Sequence, residues 1–227
     1  MGGAVATDLD ADLTLVDCEF TANTGGSGGA VCVSVGTATI LGCSISECLA
    51  DFGAGVCMMS ATGVDLIGTT IEGCDAGFQG GGLYASDSHF EAIDCDVSAN
   101  TSVIQGGGAH LLNSTGVFSR CRFDGNSSSG DGDGLYLCDS GATVHAGEFM
   151  ANGEAIHVCG YARAPIDARW NWWGDSSGPY HPTTNPLGTG DEVTGGVNYS
   201  PWNAVSSCEG EPSQVRRSWG AIKAAYR

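Results

Sequence analysis

The chain has 227 residues, of which 42% are hydrophobic and 37 are glycine. Acidic residues outnumber basic residues by 26 to 8, and the resulting formal net charge of -18 disfavours binding to nucleic acid or to an anionic membrane surface. The apolar content argues against disorder, and the lack of a Gly-X-Y period excludes collagen. No apolar run reaches roughly 18 residues, so we expect no transmembrane segment.

A repeat of about 26 residues extends from residue 2 to about residue 160. Its apolar residues alternate in short β-branched and aromatic runs bounded by glycine, which indicates strands rather than helices. We predict about six coils of an all-β parallel β-helix, each with three short strands paired to the next coil at roughly 4.8 Å. The strand-opening positions are Val5, Val31, Val56, Leu83, Ala109, Leu135 and Ile156, each preceded at three residues by Gly2, Gly28, Gly53, Gly80, Gly106, Gly132 and Gly153.

Two further apolar columns keep the same register and should point into the coils. Three residues after one of them comes an asparagine column, in which stacked amides should hydrogen-bond along the axis. Asn100, Asn113, Asn126 and Asn198 also stand in N-x-S/T sequences, so glycosylation competes with this interpretation, and for Asn100 and Asn126 we favour the ladder. The apolar columns are Leu15, Ile40, Leu66, Ala92, Phe118, Val144 and Phe20, Ile45, Ile71, Val97, Phe123, Phe149; the polar column is Asn23, Cys48, Cys74, Asn100, Asn126, Asn152.

The eleven cysteines follow the repeat as well. An inward column, Cys18, Cys43, Thr69, Cys95 and Cys121, suits small buried residues, and the lack of C-x-x-C argues against a zinc site. Three other pairs share a column on successive coils, where the spacing of the Cα atoms lies within disulfide range although parallel Cβ vectors are unfavourable. We expect one or more of these pairs to oxidise outside the cell: Cys32 with Cys57, Cys48 with Cys74, and Cys138 with Cys159.

The residue after each strand-opening position should point outward, and in four consecutive coils it carries a ring: Tyr84, His110, Tyr136 and His157. We interpret these residues as a candidate carbohydrate-binding platform. The alternatives are stacking between neighbouring rings and cover by a missing element or a partner. Metal binding by the two histidines is disfavoured because they are two coils apart, and we predict no metal site.

Beside the inward cysteine column, two carboxylates face two guanidinium groups on the next coil: Asp94, Asp96, Arg120 and Arg122. Paired carboxylates can act as acid and base, and carboxylates can hold Ca²⁺ beside a basic residue, so these are the candidate catalytic residues. Opposite charges on neighbouring strands are also ordinary cross-strand pairs.

The Gly-rich segment SSSGDGDG at 127–134 contains Asp131 and Asp133. It is the nearest approach to a Ca²⁺-binding loop, but it lacks the nonapeptide pattern of Ca²⁺-binding β-helices. We therefore predict a flexible polar loop and no cofactor, although the acidic surface is compatible with Ca²⁺.

The composition changes at residue 165, where the repeat register should fail. Trp170, Trp172, Trp173 and Trp202 fall in the segment 165–208 with most of the prolines, which suits a cap that plugs the end of the coils at 1–164. Residues 209–227 form a basic tail with apolar residues at helical spacing. We predict an amphipathic helix there, either packed on the coils or acting as a sorting or anchoring signal.

The GGAV, C-x-F and N columns, followed by NWWG, SGP, NP-x-GTGD and YSPW, resemble the right-handed parallel β-helix repeat proteins of bacterial and archaeal surfaces, within the pectin-lyase-like fold. The resemblance covers residues 2–202 and implies a secreted or surface location. It leaves open a structural, adhesive or glycan-contacting module and, as the alternative, a polysaccharide lyase or glycoside hydrolase. The NTD, DD, GHG and RIK pattern of the similar polygalacturonases is absent, which favours ordinary charge pairing at Asp94, Asp96, Arg120 and Arg122. Because the chain opens on MGGAV, within the repeat and without a signal peptide, we expect a fragment of a longer parent.

Overall fold

The computed structural model describes residues 2–160 and 166–207. The described chain forms strands and turns that wind into a parallel solenoid of about 6 turns with ~26 residues per turn. This confirms the predicted right-handed parallel β-helix. Within the described ranges, no helix is long and apolar enough to cross a membrane. The predicted tail helix at 209–227 lies outside them.

The strands form three parallel sheets along the solenoid. The 15-stranded sheet contains β1 (Val5–Ala6), β2 (Ala11–Val16), β4 (Val31–Leu41), β7 (Val56–Ile67), β10 (Leu83–Ser86), β11 (His89–Ile93), β14 (Ala109–Leu112), β15 (Thr115–Ser119), β18 (Leu135–Cys138), β19 (Gly141–His145), β21 (Glu154–Cys159), β22 (Ile166–Asp167), β23 (Pro179–Tyr180), β24 (Gly190–Val193) and β25 (Val197–Asn198). The 6-stranded sheet contains β3 (Glu19–Thr21), β5 (Ser44–Ser46), β8 (Thr70–Glu72), β12 (Asp96–Ser98), β16 (Arg122–Asp124) and β20 (Glu148–Met150). The 4-stranded sheet contains β6 (Leu49–Phe52), β9 (Asp75–Gln79), β13 (Thr101–Ser102) and β17 (Ser127–Ser128).

A middle coil contains four short strands rather than the three that the sequence predicts, as in β10, β11, β12 and β13. The first two are continuous in the longer strands β4 and β7, which is why they share one sheet. The extra corner lies at a residue with positive φ that is not glycine. The sequence pattern therefore does not mark it: these residues are Val35, Ser60, Asp87, Asn113 and Asp139.

The predicted columns are confirmed by the pairing of the strands. Val56 pairs with Leu83 and Leu83 with Ala109, and the two other apolar columns are equally in register. From the second coil onward the apolar columns are almost fully buried and form one continuous core. The glycine column has a steric cause, since a Cβ on Gly106, whose φ is 69°, would lie 2.5 Å from the carbonyl oxygen of Ala109.

The asparagine ladder is also confirmed. Asn100 Nδ2 donates to Asn126 Oδ1 at 3.1 Å, and Asn126 Nδ2 donates to Asn152 Oδ1 at 3.0 Å. Asn152 in turn donates to a carboxylate oxygen of Asp191 at 2.9 Å, which ends the ladder. Because Asn100 and Asn126 are 0% and 1% exposed, their amides serve the core rather than glycosylation.

One of the three predicted cysteine pairs is a disulfide, Cys138–Cys159, with its Cα atoms 5.0 Å apart on the paired strands β18 and β21. The cysteines of the other two pairs are free thiols in the structure. Cys43, Cys95 and Cys121 of the inward column are buried, as predicted for small core residues.

The expectation that the register fails at residue 165 is only partly correct. Strand β22 pairs with β19, β24 with β21 and β25 with β22, so the ladders continue into the Trp- and Pro-rich segment. Trp173 stacks on Phe149 with ring centroids 4.9 Å apart and so extends the Phe column with a larger ring. The repeat pattern is lost because the residue types change, whereas the strand pairing persists.

Candidate functional site

The four ring-bearing residues predicted as a stripe lie in register on β10, β14, β18 and β21. Their rings stack with centroids 5.4, 4.9 and 5.1 Å apart and interplanar angles of 28°, 25° and 7°. Parallel strands set neighbouring residues at roughly 4.8 Å, which is close to the spacing of stacked rings. The structure therefore brings all four together as a ring column: Tyr84, His110, Tyr136 and His157.

The ring column is not the exposed platform that strand alternation suggests. Tyr84, His110 and Tyr136 are 8%, 2% and 6% exposed. His110 and Tyr136 stack between two rings of the column, and Phe52 of the preceding coil packs against Tyr84 with ring centroids 5.2 Å apart. Alternation fixes the direction of a side chain but not what covers it, and here the neighbouring rings and the preceding turn provide the cover.

Exposed apolar side chains lie at the end of β9 and in the bend after β13, in the segments that lead to the ring column. Phe78, Val103 and Ile104 are 45%, 56% and 41% exposed, and we call these three residues the ridge. The amide of Ile104 donates to the carbonyl of Phe78 at 2.8 Å, so the ridge crosses two neighbouring coils. Phe78 stacks on Phe52 at 5.4 Å, which links the ridge to the ring column.

Amide side chains lie beside the ridge. Gln79 follows Phe78 directly, Gln105 follows Ile104, and Gln79 Nε2 donates to Gln105 Oε1 at 3.2 Å. Both glutamines are partly exposed. The ridge thus combines flat apolar atoms with hydrogen-bonding groups on one surface.

Most of the ring column is uncharged at neutral pH. Burial lowers the pKa of His110 to about 4, which favours the neutral imidazole. Burial also raises the pKa of Tyr84 and of Tyr136, so both phenols stay protonated.

The column ends at a group of three ionisable side chains, Asp131, Glu154 and His157, which we call the acid–histidine cluster. His157 Nδ1 lies 2.8 Å from Glu154 Oε1, and His157 Nε2 lies 4.0 Å from Asp131 Oδ2. The hydrogen bond with Glu154 raises the pKa of His157. One ligand atom from each residue lies within 4.8 Å of the others, so these side chains could hold a metal ion.

The segment 127–134, predicted to be a flexible polar loop, carries Asp131 into this cluster. Asp133 accepts hydrogen bonds from the backbone amides of Ser128 at 2.7 Å and Glu154 at 3.2 Å. Glu154 Oε2 accepts a bond of 2.6 Å from the amide of Gly132. These bonds tie the segment to the start of β21.

The candidate catalytic residues come together as two ion pairs between neighbouring coils. Asp96 and Arg122 are paired on β12 and β16, whereas Asp94 and Arg120 lie at the corners before these strands. Arg120 donates to both carboxylate oxygens of Asp94, at 2.7 and 2.8 Å. Arg122 contacts Asp96 at 3.3 Å and also pairs with Asp124. The paired side chains are partly exposed, and among the described residues Asp96 Oδ1 has no hydrogen-bond partner. Pairing of opposite charges on neighbouring coils is the alternative that the sequence left open.

The sequence analysis did not identify the ridge or Glu154. The sequence contains a positional signal for both. Phe78 and Ile104 each stand two residues before a glycine of the glycine column, and Asp131 and Glu154 are direct neighbours of such a glycine. Aligning the turn residues in the same register as the strands would have shown that they meet at the ring column.

A family model described as a right handed beta helix region matches residues 3–168. No curated protein and no solved structure matches the chain.

Proposed function

The chain belongs to the right-handed β-helix family, and we propose that it acts outside the cytoplasm as a non-enzymatic module that contacts neutral polysaccharide through the ridge. The observation that carries this proposal is the exposure of Phe78, Val103 and Ile104 beside the paired amides of Gln79 and Gln105. Carbohydrate requires both features: apolar surface for the faces of sugar rings and fixed polar groups for their hydroxyls. Phe78 is anchored by Phe52, which packs in turn on Tyr84 of the buried ring column.

The charge of the protein favours a neutral ligand. A formal net charge of -18 repels polyuronates and sulfated glycans unless cations intervene. We therefore assign neutral polysaccharide to the ridge rather than the acidic substrates typical of pectin-degrading β-helices.

The disulfide supports the proposed location outside the cytoplasm. Cys138–Cys159 joins successive coils, and such bonds persist in oxidising compartments and are rare in the cytosol. A secreted or surface-displayed position also suits contact with polysaccharide.

The alternative function, polysaccharide cleavage at Asp94, Asp96, Arg120 and Arg122, has a direct test. The ion pairs compete with any role of these carboxylates as acid, base or metal ligand. We expect the full chain to release no reducing ends or unsaturated products from neutral or acidic polysaccharides. Cleavage that disappears in Asp96→Ala would establish the enzyme instead.

Binding is best measured by affinity electrophoresis of the full chain in gels that contain neutral or acidic polysaccharides. We expect retardation by at least one neutral polymer, with at least a fivefold loss of affinity in Phe78→Ala and Ile104→Ala. Leu187→Ala is the matched control, because Leu187 is 86% exposed and lies outside the ridge. An equal loss in the control, or no retardation by any neutral polymer, would overturn the proposal.

A further inference from the structure

We propose that Asp131, Glu154 and His157 form a binding site for one divalent transition-metal ion of the Zn²⁺ type. The three residues lie at the end of the ring column, where the 127–134 segment meets the start of β21. This site is separate from the ridge, and its occupation does not depend on polysaccharide binding.

The positions of the ligand atoms support this assignment. One ligand atom of each side chain lies within 4.8 Å of the other two. Bonds from Zn²⁺ to imidazole nitrogen and carboxylate oxygen are about 2.0–2.2 Å long, so ligands of one ion lie at most about 4.2 Å apart. Glu154 lies at Nδ1 of His157 and Asp131 lies nearer Nε2, so one ion bound at Nδ1 requires the Asp131 carboxylate to move toward Glu154. The Asp131 side chain is 58% exposed and stands between Gly130 and Gly132, which leaves room for this movement.

The rest of the site is already assembled. His157 and Glu154 are in contact at 2.8 Å, and their side chains are 22% and 17% exposed. The amide of Gly132 holds the second carboxylate oxygen of Glu154, which fixes this residue to the segment that carries Asp131. Three protein ligands leave coordination positions open for water or another ligand, as in open zinc sites.

The local charge also calls for a cation. Glu192 pairs with Glu154 on the adjacent strand, and its negative charge acts on His157 together with that of Asp131. In the described part of the chain, the arginines pair elsewhere: Arg120 with Asp94, Arg122 with Asp96 and Asp124, and Arg169 with Asp167. The carboxylates around His157 therefore share one imidazole, and a bound divalent ion would neutralise them.

The imidazole nitrogen of His157 indicates which class of metal ion the site prefers. Ca²⁺ and Mg²⁺ prefer all-oxygen ligand sets, whereas one nitrogen with two carboxylates suits Zn²⁺, Co²⁺ or Mn²⁺. The free thiols are a competing place for Zn²⁺, so the experiment must distinguish nitrogen and oxygen ligands from sulfur.

Co²⁺ makes this distinction, because its visible d–d bands report binding and a near-ultraviolet charge-transfer band reports thiolate ligands. We expect the full chain to bind one Co²⁺ without the thiolate band, and Zn²⁺ to displace it. Asp131→Asn and His157→Gln should each weaken binding at least tenfold, with unchanged circular dichroism. Asp65→Asn, at an exposed carboxylate on β7, is the matched control and should leave affinity unchanged.

Three results would overturn the proposal: no Co²⁺ binding by the parent chain, binding that keeps its affinity in Asp131→Asn, or a spectrum dominated by thiolate. Asp131→Asn is the decisive variant. Its side chain is largely exposed, so its loss of binding cannot be attributed to unfolding when the circular dichroism is unchanged.

Discussion

Asn126 accepts two hydrogen bonds from Asn100 through the same oxygen: the backbone amide and the side-chain amide of Asn100 both lie 3.1 Å from Asn126 Oδ1. Asn126 also donates to the carbonyl of Val97 at 2.8 Å, on the coil that carries Asn100. One buried side chain therefore satisfies polar groups of its neighbouring coil on both the amide and the carbonyl side.

Replacing Asn126 should lower the stability of the fold. In Asn126→Ala, buried groups of Asn100 and Val97 lose their partners, and we expect the free energy of unfolding to fall by about 3 kcal/mol or more. The control is Asn23→Ala in the first coil, where the amide has a 4.0 Å contact with Cys48 Sγ and a cost below about 1 kcal/mol is expected. Urea denaturation of both variants tests this, and equal losses would contradict a special role of the ladder.

Alanine substitutions at two glycines with positive φ distinguish the cost of backbone strain from the cost of steric overlap. Gly125 has open space at its Cβ position, so Gly125→Ala should cost about 1–2 kcal/mol from the left-handed conformation alone. Gly106→Ala adds overlap with the carbonyl oxygen of Ala109 at 2.5 Å. We expect Gly106→Ala to lower the melting temperature at least twice as much as Gly125→Ala, and similar melting temperatures would refute the steric account.

The contact between Glu154 and His157 should make stability depend on pH. The hydrogen bond raises the pKa of His157, so its contribution is present below the ordinary value of 6.5 and is lost as the pH rises through the folded-state pKa. Burial acts to raise the pKa of Glu154, but the bonds from His157 and Gly132 outweigh it and lower the pKa. Its contribution is therefore present above 4.5 and is lost as the pH falls through the folded-state pKa.

Glu154→Gln should consequently lose most stability, relative to the parent chain, between about pH 4.5 and 6.5. The difference should narrow on both sides of this window. Chemical denaturation in metal-free buffers across pH 3.5–8 measures it, with Asp65→Asn as a control that should show no such window. A difference that is constant with pH would show that the contact does not depend on charge.

The disulfide should stabilise the C-terminal coils. Cys138 and Cys159 are 21 residues apart in sequence, and closing a loop of this size contributes about 3 kcal/mol. The double variant Cys138→Ser, Cys159→Ser should therefore melt at a lower temperature than the parent chain. A thiol reductant should lower the parent to the same value and leave the variant unchanged.

Thiol titration of the denatured parent chain provides a separate check of this bond. It should detect at least two fewer free thiols than its eleven cysteines, and detection of all eleven would show that the disulfide does not form.

The interior of the solenoid was predictable because each buried column repeats one chemical requirement. Asn100, Asn126 and Asn152 recur every 26 residues, and the pairing of their strands follows directly. The corner at Asp87 was not predictable in this way, because it uses a non-glycine residue with positive φ that alternation does not mark.

The burial of outward-directed side chains depends on which residues of neighbouring coils cover them, and strand periodicity does not predict this. Phe52 covers Tyr84 from the preceding turn, so a residue directed outward is nevertheless buried. Asp131 and His157 belong to neighbouring coils, and Asp131 Oδ2 lies 4.0 Å from His157 Nε2. Strand periodicity assigns His157 to the stripe and leaves Asp131 in a loop, and the two positions come together only when the turn residues are aligned in the same register.

The in-register ladders also limit how the length of this protein can change. Asn100 and Asn126 are separated by 26 residues, and the strands that follow them are paired with the same offset. Loss or duplication of a whole coil preserves every column, whereas a shift of one residue within a strand would turn its buried side chains outward. The molecule can therefore lengthen or shorten only in steps of one coil, with variation between these steps confined to the turns.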